Sequence, residues 1–158
     1  MPLTSLKQYL DENNVRYVVI SHSPAFTAQG IAALAHIPGR DLAKTVIVKL
    51  DGKLAMAVLP ASLHVNLSTL KRETGAEIVE LASEEEFRDR FPGCETGAMP
   101  PFGNLYGLGL FVDEALARDK EIAFNACSHG ELVRLSWDDY QNLAKPRVIS
   151  FARRAEAA

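Results

Sequence analysis

The stretch Thr45-Val-Ile-Val-Lys-Leu-Asp-Gly-Lys-Leu-Ala-Met-Ala-Val-Leu59 holds the clearest structural signal in this sequence. Two apolar runs, at residues 45–50 and 54–59, flank the short connection Asp51-Gly52-Lys53. An Asp-Gly pair between apolar runs predicts a tight β-hairpin. Because both runs are almost continuously apolar, we expect the two strands at the middle of a sheet whose faces are both covered.

Helices and strands are predicted on both sides of this hairpin, without strict alternation. The predicted helices lie at residues 4–13, 27–35, 67–74, 83–91 and 137–143, with a helical turn at 113–117. The predicted strands lie at residues 15–20, 77–81, 105–112, 121–126, 132–135 and 148–151. This order indicates an α+β fold, a single domain in which a mixed, largely antiparallel central sheet is flanked by short helices. We expect the domain to span residues 1–152, followed by a frayed tail at 153–158.

Composition and charge narrow the possible classes of protein. The chain has 158 residues, 47% of them hydrophobic, which suits one domain with a substantial core. A formal net charge of −3 argues against a general nucleic-acid coat protein and leaves room for a local phosphate site. The sequence shows no membrane-length apolar run and no secretory signal, so we expect a cytoplasmic protein with no membrane partner. Cys94 and Cys127 show no disulfide-framework pattern, so free thiols are expected.

The segment Gly97-Ala-Met-Pro-Pro-Phe-Gly-Asn-Leu-Tyr-Gly-Leu-Gly109 is predicted to be neither an ordinary helix nor a central strand. Pro100 and Pro101 have fixed φ angles, lack N–H groups and push the preceding residue toward extended geometry. Glycines at both ends permit a positive φ or a close approach by a ligand. The segment therefore suits a loop that offers backbone N–H groups to an oxygen, although a tight connection between strands is the alternative.

Two side chains stand out as candidates for chemistry. Lys44 immediately precedes the hairpin strand, where its ammonium could face a phosphate or a developing oxyanion. His129 lies in a polar turn with Ser128, and Asn125 precedes them, so it could act as a base, a donor or a substrate anchor. The alternatives are a solvated lysine at a strand end and a solvent-exposed turn histidine.

The remaining histidines do not form a recognisable metal site. His22, His36 and His64 lack the i, i+4 spacing and the cysteine partners that zinc sites use, so no metal is expected. A thiol nucleophile at Cys127 beside His129 has little support, because their spacing does not ensure contact. No Gly-x-Ser-x-Gly elbow, phosphate loop or dinucleotide fingerprint is present.

Taken together, these segments resemble the family formed by bacterial aminoacyl-tRNA deacylases of the YbaK type and the editing domain of prolyl-tRNA synthetase. The resemblance covers nearly the whole chain and keeps the order of its pieces. The matching pieces are His22-Ser-Pro24 with Thr27-Ala28, Ala43-Lys-Thr-Val-Ile-Val48, Gly97-Ala-Met-Pro-Pro-Phe-Gly103 and Asn125-Ala-Cys-Ser-His129. It implies the barrel-like fold of that family and hydrolysis of the ester bond of mischarged tRNA without a cofactor.

The resemblance also implies roles for individual residues. Lys44 would hold the 3′-terminal adenosine or its phosphate, Gly97 would begin the Gly-x-x-x-Pro loop that lines the aminoacyl pocket, and His129 would help to orient the substrate or a water. The remaining predicted substrate contacts are Thr27, Thr45, Ala98, Met99, Pro100, Pro101, Phe102, Gly103, Asn125 and Ser128. The loop departs from the Gly-Gly-Cys-Ser-Pro form of some branches, so the accepted amino acid is expected to differ.

The chain is therefore expected to be a free-standing trans-editing deacylase for small or medium side chains such as Ala, Ser, Thr or Cys. Backbone N–H groups near Gly97 would bind the oxyanion, and no protein nucleophile is needed. Its partners would be the aminoacyl-tRNA 3′ end and an aminoacyl-tRNA synthetase. Two alternatives remain open: a non-catalytic tRNA- or synthetase-binding adaptor, and a hydrolase of small esters.

Overall fold

The computed structural model of this protein describes residues 3–21 and 41–154. Within these ranges the helices are α1 (Leu3–Glu12), α2 (Leu67–Thr74), α3 (Glu84–Phe87), α4 (Gly103–Tyr106), α5 (Glu114–Ala117) and α6 (Trp137–Ala144), with a 3₁₀ turn at Arg88–Arg90. The strands are β1 (Tyr17–Ser21), β2 (Leu42–Leu50), β3 (Lys53–Pro60), β4 (Leu63–Val65), β5 (Val79–Leu81), β6 (Gly109–Asp113), β7 (Glu121–Asn125), β8 (Glu131–Ser136), β9 (Arg147–Ile149) and β10 (Ala152–Arg154).

The main sheet is mixed, as predicted. Its strands follow the order β1-β8-β7-β2-β3-β6-β9, β5 pairs with β2 outside this path, and β10 pairs with β4 in a separate two-stranded sheet. The β2–β7, β3–β6 and β6–β9 pairs are parallel, and the other pairs are antiparallel. In the described residues β1 and β9 end the path, so backbone pairing does not close the predicted barrel-like sheet there. The predicted α+β class is confirmed.

The predicted hairpin is confirmed and lies at the centre of the sheet. Its strands pair from Leu50 opposite Lys53 to Ala43 opposite Pro60. Asp51 and Gly52 both have positive φ, at 50° and 84°, as a two-residue hairpin turn with matching twist requires. The Asp51 carboxylate also accepts from the backbone N–H of residue 78 at 2.8 Å, which ties the turn to the start of β5.

The central strands carry an apolar core on each face, because successive side chains of a strand point to opposite sides. On the first face, Ile47, Met56 and Val58 belong to a large core that includes Phe102 and Phe124. On the second face, a smaller core is formed by Val48, Ala55, Ala57, Leu59, Leu70 and Phe151. Both faces of the hairpin are therefore covered, in agreement with its apolar sequence.

Several helix boundaries follow from capping side chains that the sequence displays. Ser83 forms a capping box with Glu86, and Ser136 accepts from the backbone N–H of Asp139 at the start of α6. Helix α2 ends at Gly75, which has φ 75°. None of the helices in the two described ranges has the length and apolar character needed to cross a bilayer.

Three expectations from the sequence are wrong. The strand predicted at residues 105–112 begins only at Gly109, because Gly103–Tyr106 forms helix α4. Arg153 and Arg154 do not begin a frayed tail, because they pair with His64 and Leu63 in the small sheet. Cys94 and Cys127 form a disulfide with their Cα atoms 4.3 Å apart, so they are not free thiols. Residues 155–158 and the helix predicted at 27–35 lie outside the described residues.

Candidate active site

The Gly/Pro loop, residues 97–103, is packed firmly against the first face. The Tyr140 hydroxyl donates to the Pro101 carbonyl oxygen at 2.6 Å, and burial raises the pKa of this tyrosine well above its ordinary value. The Phe102 ring is fully buried and lies 5.3 to 5.6 Å, centroid to centroid, from the rings of Tyr140 and Phe124. Ala98 and Met99 are also buried. Phe102 and Pro101, predicted to contact the substrate, thus support the loop from within the core.

A second set of contacts joins the entry of this loop to the turn after β7. The backbone N–H of Glu95 donates to the Cys127 carbonyl oxygen at 2.9 Å, and the Cys127 N–H donates to the Ala98 carbonyl oxygen at 2.9 Å. These reciprocal bonds bring Cys94 beside Cys127, which explains why the two form a disulfide although they are separated by 33 positions. Cys127 has φ 69°, so the chain turns sharply there. The loop and the turn therefore form one unit.

His129 secures the same unit from the other side. Its Nε2 lies 2.8 Å from the Thr96 carbonyl oxygen; because a carbonyl can only accept, Nε2 carries the proton. Its backbone N–H donates to a Glu95 carboxylate oxygen at 3.1 Å. Gly97 lies beneath the imidazole, since a Cβ built on Gly97 would be 3.5 Å from Cε1 of His129. The predicted pair Gly97 and His129 is thus in direct proximity, and His129 determines where the loop sits.

The loop offers an N–H group at the expected position. Gly97 has φ 85°, and its N–H is directed at the Met99 sulfur at 3.3 Å, a weak acceptor. The neighbouring Ala98 N–H donates to the Glu95 carbonyl oxygen at 3.0 Å. Gly97 is therefore better placed than Ala98 to donate to a substrate oxygen.

Lys44 and Asn125 occupy neighbouring positions on the second face. Strands β2 and β7 run parallel, with Leu42 opposite Ala123 and Ala43 opposite Phe124. The next positions of this register are Lys44 and Asn125, and Phe124 packs in the first-face core, so Asn125 and Lys44 point away from it. The turn that carries His129 begins immediately after Asn125. Asn125 is 7% exposed, and its Oδ1 is buried without a hydrogen bond to the described residues.

The surroundings of Lys44 favour a role in binding. Partial burial lowers the pKa of Lys44 from its ordinary value, because removal from water disfavours the charged form. In the described part of the chain, no hydrogen bond or ion pair joins the Lys44 ammonium to another residue. It lines a cavity of about 510 Å³ on the second face. A partly desolvated ammonium at a cavity is suited to an anionic ligand.

The other predicted contacts divide into three groups. Thr45 pairs with Val58 and by alternation points to the first face, opposite to Lys44. Ser128 and Gly103 have structural contacts: the Ser128 hydroxyl accepts from Gly130 N–H at 3.3 Å, and a Cβ on Gly103 would meet the Leu108 carbonyl oxygen at 2.8 Å. Pro100 accepts from the Phe102 N–H at 2.8 Å. Thr27 lies outside the described residues.

Sequence reasoning missed Tyr140, Glu95 and the disulfide as supports of the loop. The serine cap predicted the helix that carries Tyr140, but no local pattern indicates that its hydroxyl reaches Pro101, which is 39 positions away. The Glu95 carboxylate similarly accepts a hydrogen bond from the backbone N–H of His129, which lies 34 positions later in the chain. The only signal in the sequence was the pair of cysteines, one just before the loop and one in the turn after β7, which could have suggested that these two segments meet.

The largest of the described cavities contains none of the predicted site residues. It has a volume of about 760 Å³ and lies at the turn end of the hairpin, beside Gly52, Leu54 and Phe111. Lys49, which lines it, already contacts the Glu86 carboxylate at 2.6 Å. Among the described residues no group of three or more His, Cys, Asp or Glu side chains is arranged to hold a metal ion. Gly97 and His129 at the loop, and Lys44 with Asn125 on the second face, therefore remain the candidate site residues.

Comparisons with known proteins identify the family of this chain. A sequence profile of the aminoacyl-tRNA editing domain matches residues 22–143. The multifunctional Ser/Thr-tRNA deacylase ProXp-y of Escherichia coli K12 is 30% identical over 151 residues, which cover 92% of this chain and 90% of the relative. A proline–tRNA ligase of Bacillus mycoides is 31% identical over 98 residues, which cover 62% of this chain and 16% of the ligase.

The fold has a solved counterpart as well. The crystal structure of a protein proposed to be a trans-editing enzyme for prolyl-tRNA synthetase superposes with a TM-score of 0.79 at 18% identity, covering 96% of each chain. At that identity the match establishes the fold, while the profile and the E. coli relative establish the family. This chain belongs to the aminoacyl-tRNA editing domain family.

Proposed function

We propose that this protein is an aminoacyl-tRNA deacylase that removes wrongly attached amino acids from tRNA in trans. The observation that carries the proposal is the Gly97 N–H, whose only described acceptor is the weak Met99 sulfur. The loop that presents it contacts the turn after Asn125, and Asn125 is the register neighbour of Lys44. Membership of the editing-domain family and the named activity of the E. coli relative support it. The reaction requires no metal ligand or covalent nucleophile from these residues.

The reaction is hydrolysis of the ester between the amino acid and the terminal ribose. Water adds to the ester carbonyl carbon, directly or with help from the free ribose hydroxyl. The bond from that carbon to the ribose oxygen then breaks, and the proton lost by water goes to the ribose oxygen. The products are a free amino acid and an uncharged tRNA. Negative charge develops on the carbonyl oxygen before the bond breaks, so an N–H donor fixed at that position accelerates the step.

Each candidate residue has a distinct part in this proposal. The Gly97 N–H donates to the developing oxyanion, since the Met99 sulfur is a weak competitor for it. Lys44 holds the phosphate of the terminal nucleotide as a cation without a described protein partner. His129 is a positioning residue, because its Nε2–H donates to Thr96 and its ring covers Gly97. Asn125 supplies an amide beside Lys44.

The substrate range is inferred from the E. coli relative, whose name gives serine and threonine. We propose small or medium side chains of this kind. The match to part of a proline–tRNA ligase supports a functional link to a synthetase, with charged tRNA as the shared ligand. The proposal implies action in the cytoplasm, where charged tRNA is made.

The test is a panel of tRNAs, each charged with one labelled amino acid and incubated with the purified protein. We expect accelerated ester loss for one or a few mischarged species, and a loss of roughly 100-fold or more in the Lys44→Ala variant. Lys53→Ala is the matched control, because Lys53 is an exposed lysine at the opposite end of the same hairpin. If no charged tRNA is cleaved faster than in buffer, the proposal is wrong and a non-catalytic tRNA-binding role takes its place.

A further inference from the structure

The ionisable residues that line the cavity beside Lys44 are all basic. We call it the cationic cavity; its volume is about 510 Å³. Its ionisable lining residues are Lys44, His64 and Arg153, and no carboxylate lines it among the described residues. The whole chain carries a formal net charge of −3, so a concavity lined by basic residues and by no described carboxylate differs from the average surface. Such a site favours an anion.

The small sheet places two of these side chains side by side. Strands β4 and β10 are antiparallel, with Arg153 directly opposite His64. Directly opposed residues lie on the same side of a sheet with Cβ atoms about 4.5–5.5 Å apart. Lys44 reaches the same cavity from β2 of the main sheet. The three groups therefore approach one space from two independent sheets, as required to hold an anion on more than one side.

The N-terminus of helix α2 also favours an anion in the cavity. Its first residues, Leu67 and Ser68, line the cavity, and Asn66 caps its N-terminus by accepting from the Thr69 N–H at 3.1 Å. The first N–H groups of a helix have no partner within the helix, and the helix dipole is positive at this end. The helix thus reinforces the preference for an anion that the three side chains establish.

The rest of the lining is apolar and partly open to solvent. Val46, Val65 and Leu81 contribute to the wall, and Leu81 is 57% exposed although it is a large hydrophobic residue. A nucleobase has a flat apolar face that can cover such a side chain, while its phosphate remains with the cations. A lone inorganic anion would leave Leu81 in water. The combined lining therefore suits a nucleotide unit better than a simple anion.

We propose that the cationic cavity binds the phosphodiester backbone of the unpaired tRNA 3′ end, upstream of the terminal adenosine. This inference rests on the proposed function, because Lys44 is shared: it lies beside Asn125 on the second face and also lines the cavity. The single strand then passes from the cavity to the ester, with Arg153 and His64 as new binding residues. Two cationic side chains, Lys44 and Arg153, clustered with His64 at one point explain how a chain of net negative charge holds RNA.

The test compares two substrates that carry the same amino acid. One is the aminoacyl-tRNA that the wild type cleaves, and the other is the 3′-aminoacyl ester of adenosine, which has no phosphate. For Arg153→Gln and His64→Gln we expect KM for the tRNA to rise roughly threefold to tenfold at unchanged kcat, with less salt dependence. KM for the adenosine ester is expected to stay unchanged. Arg153→Glu should raise KM for the tRNA further.

Arg154→Gln is the matched control, because Arg154 is exposed, adjoins Arg153 and by alternation points to the other side of the small sheet. It should leave both KM values unchanged. Equal KM values for Arg153→Gln and Arg154→Gln with the tRNA would overturn the inference while leaving the deacylase function intact. A wild type that cleaves neither substrate would contradict the proposed function instead.

A direct titration provides a readout that does not depend on hydrolysis. A fluorescent single-stranded RNA ending in CCA is titrated with the wild type and with the Arg153→Gln and Arg154→Gln variants. We expect the first variant alone to bind roughly threefold to tenfold more weakly. Equal binding by all three proteins would reject the cavity as an RNA site, whatever the kinetics show.

Discussion

The Gly/Pro loop and the cationic cavity are two halves of one proposed site, and they are held in opposite ways. A buried tyrosine hydroxyl holds the loop at Pro101, and a disulfide and a histidine hold its entry at Cys94 and Thr96. The cavity presents the Lys44 ammonium, which makes no hydrogen bond or ion pair with a described residue, and the exposed side chains of His64 and Arg153. Buried and cross-linked contacts therefore surround the proposed chemistry, whereas the proposed phosphate contacts come from long side chains at a cavity that is partly open to solvent.

This difference suits the two tasks. An oxyanion donor is effective only if it is already in position, since movement during the reaction reduces its benefit. A phosphate contact can adjust, because a cation attracts a phosphate over a range of orientations. The difference also predicts that substitutions in the loop reduce the free energy of unfolding, while substitutions in the cavity do not. Four experiments examine this contrast, from the largest expected effect on stability to the smallest.

Removal of the disulfide should have the largest effect. The bond closes a segment of 33 positions, for which loss of the cross-link costs about 3–4 kcal/mol of unfolding free energy. We expect this loss in the Cys94→Ala, Cys127→Ala double variant, measured by urea denaturation. A reductant should lower the stability of the wild type and leave the double variant unchanged. If the wild type unfolded at the same urea concentration with and without reductant, the disulfide would not stabilise the loop.

Tyr140→Phe should come next. It removes the buried hydroxyl that donates to the Pro101 carbonyl oxygen and leaves that oxygen without its 2.6 Å partner, at a cost of about 1–3 kcal/mol. Tyr17→Phe is the control, because its hydroxyl donates to Asp11 at 2.9 Å in an exposed position and should matter by only a few tenths of a kcal/mol. Equal losses in the two variants would show that the loop gains nothing from Tyr140.

Gly97→Ala should cost about 1–2 kcal/mol, because a side chain at φ 85° strains the backbone. The added Cβ would make only an ordinary 3.5 Å contact with His129, so no clash is expected. Gly75→Ala is matched to it, with φ 75° and open space around the Cβ. Both variants should lose similar stability, but only Gly97→Ala should slow deacylation. A normal rate of deacylation by the Gly97→Ala variant would show that Gly97 is not part of the proposed site.

Lys44→Met should leave stability unchanged or raise it at neutral pH. Burial lowers the pKa of Lys44 in the folded state below the ordinary value of 10.5, so the unfolded state binds the proton more readily. Unfolding free energy of the wild type should therefore rise with pH between the lowered value and 10.5, and the variant should lack this rise. Urea denaturation across that range measures the difference. A clear loss of stability in the variant at pH 7 would assign Lys44 a structural role.

The elements that the sequence predicts well are those determined by neighbours in the chain. Asp51-Gly52 specifies the hairpin turn, and Ser136 and Ser83 specify helix starts, because each acts through groups within four positions. The alternation of apolar residues then places the hairpin between two cores. The loop at Gly97 was predictable for the same reason, since proline and glycine restrict or release the backbone locally.

Contacts between distant segments account for what the sequence did not reveal. The Cys94–Cys127 bond depends on two backbone hydrogen bonds that join the loop to the turn after β7, and no spacing rule indicates them. Arg153 lies in a strand because Asp113, far earlier in the chain, accepts from the N–H groups of Phe151 and Ala152 at 2.9 Å. A three-residue strand anchored by one remote carboxylate has no local pattern.

The pairing of His64 with Arg153 also determines when, during synthesis of the chain, the small sheet can form. More than half of the chain separates these two residues, so the ribosome must deliver residue 153 before the small sheet can close. The segment from Cys94 to Tyr140, which contains the braced loop, is complete earlier in synthesis. A nascent chain therefore completes the loop proposed for hydrolysis before it completes the cavity proposed to bind RNA.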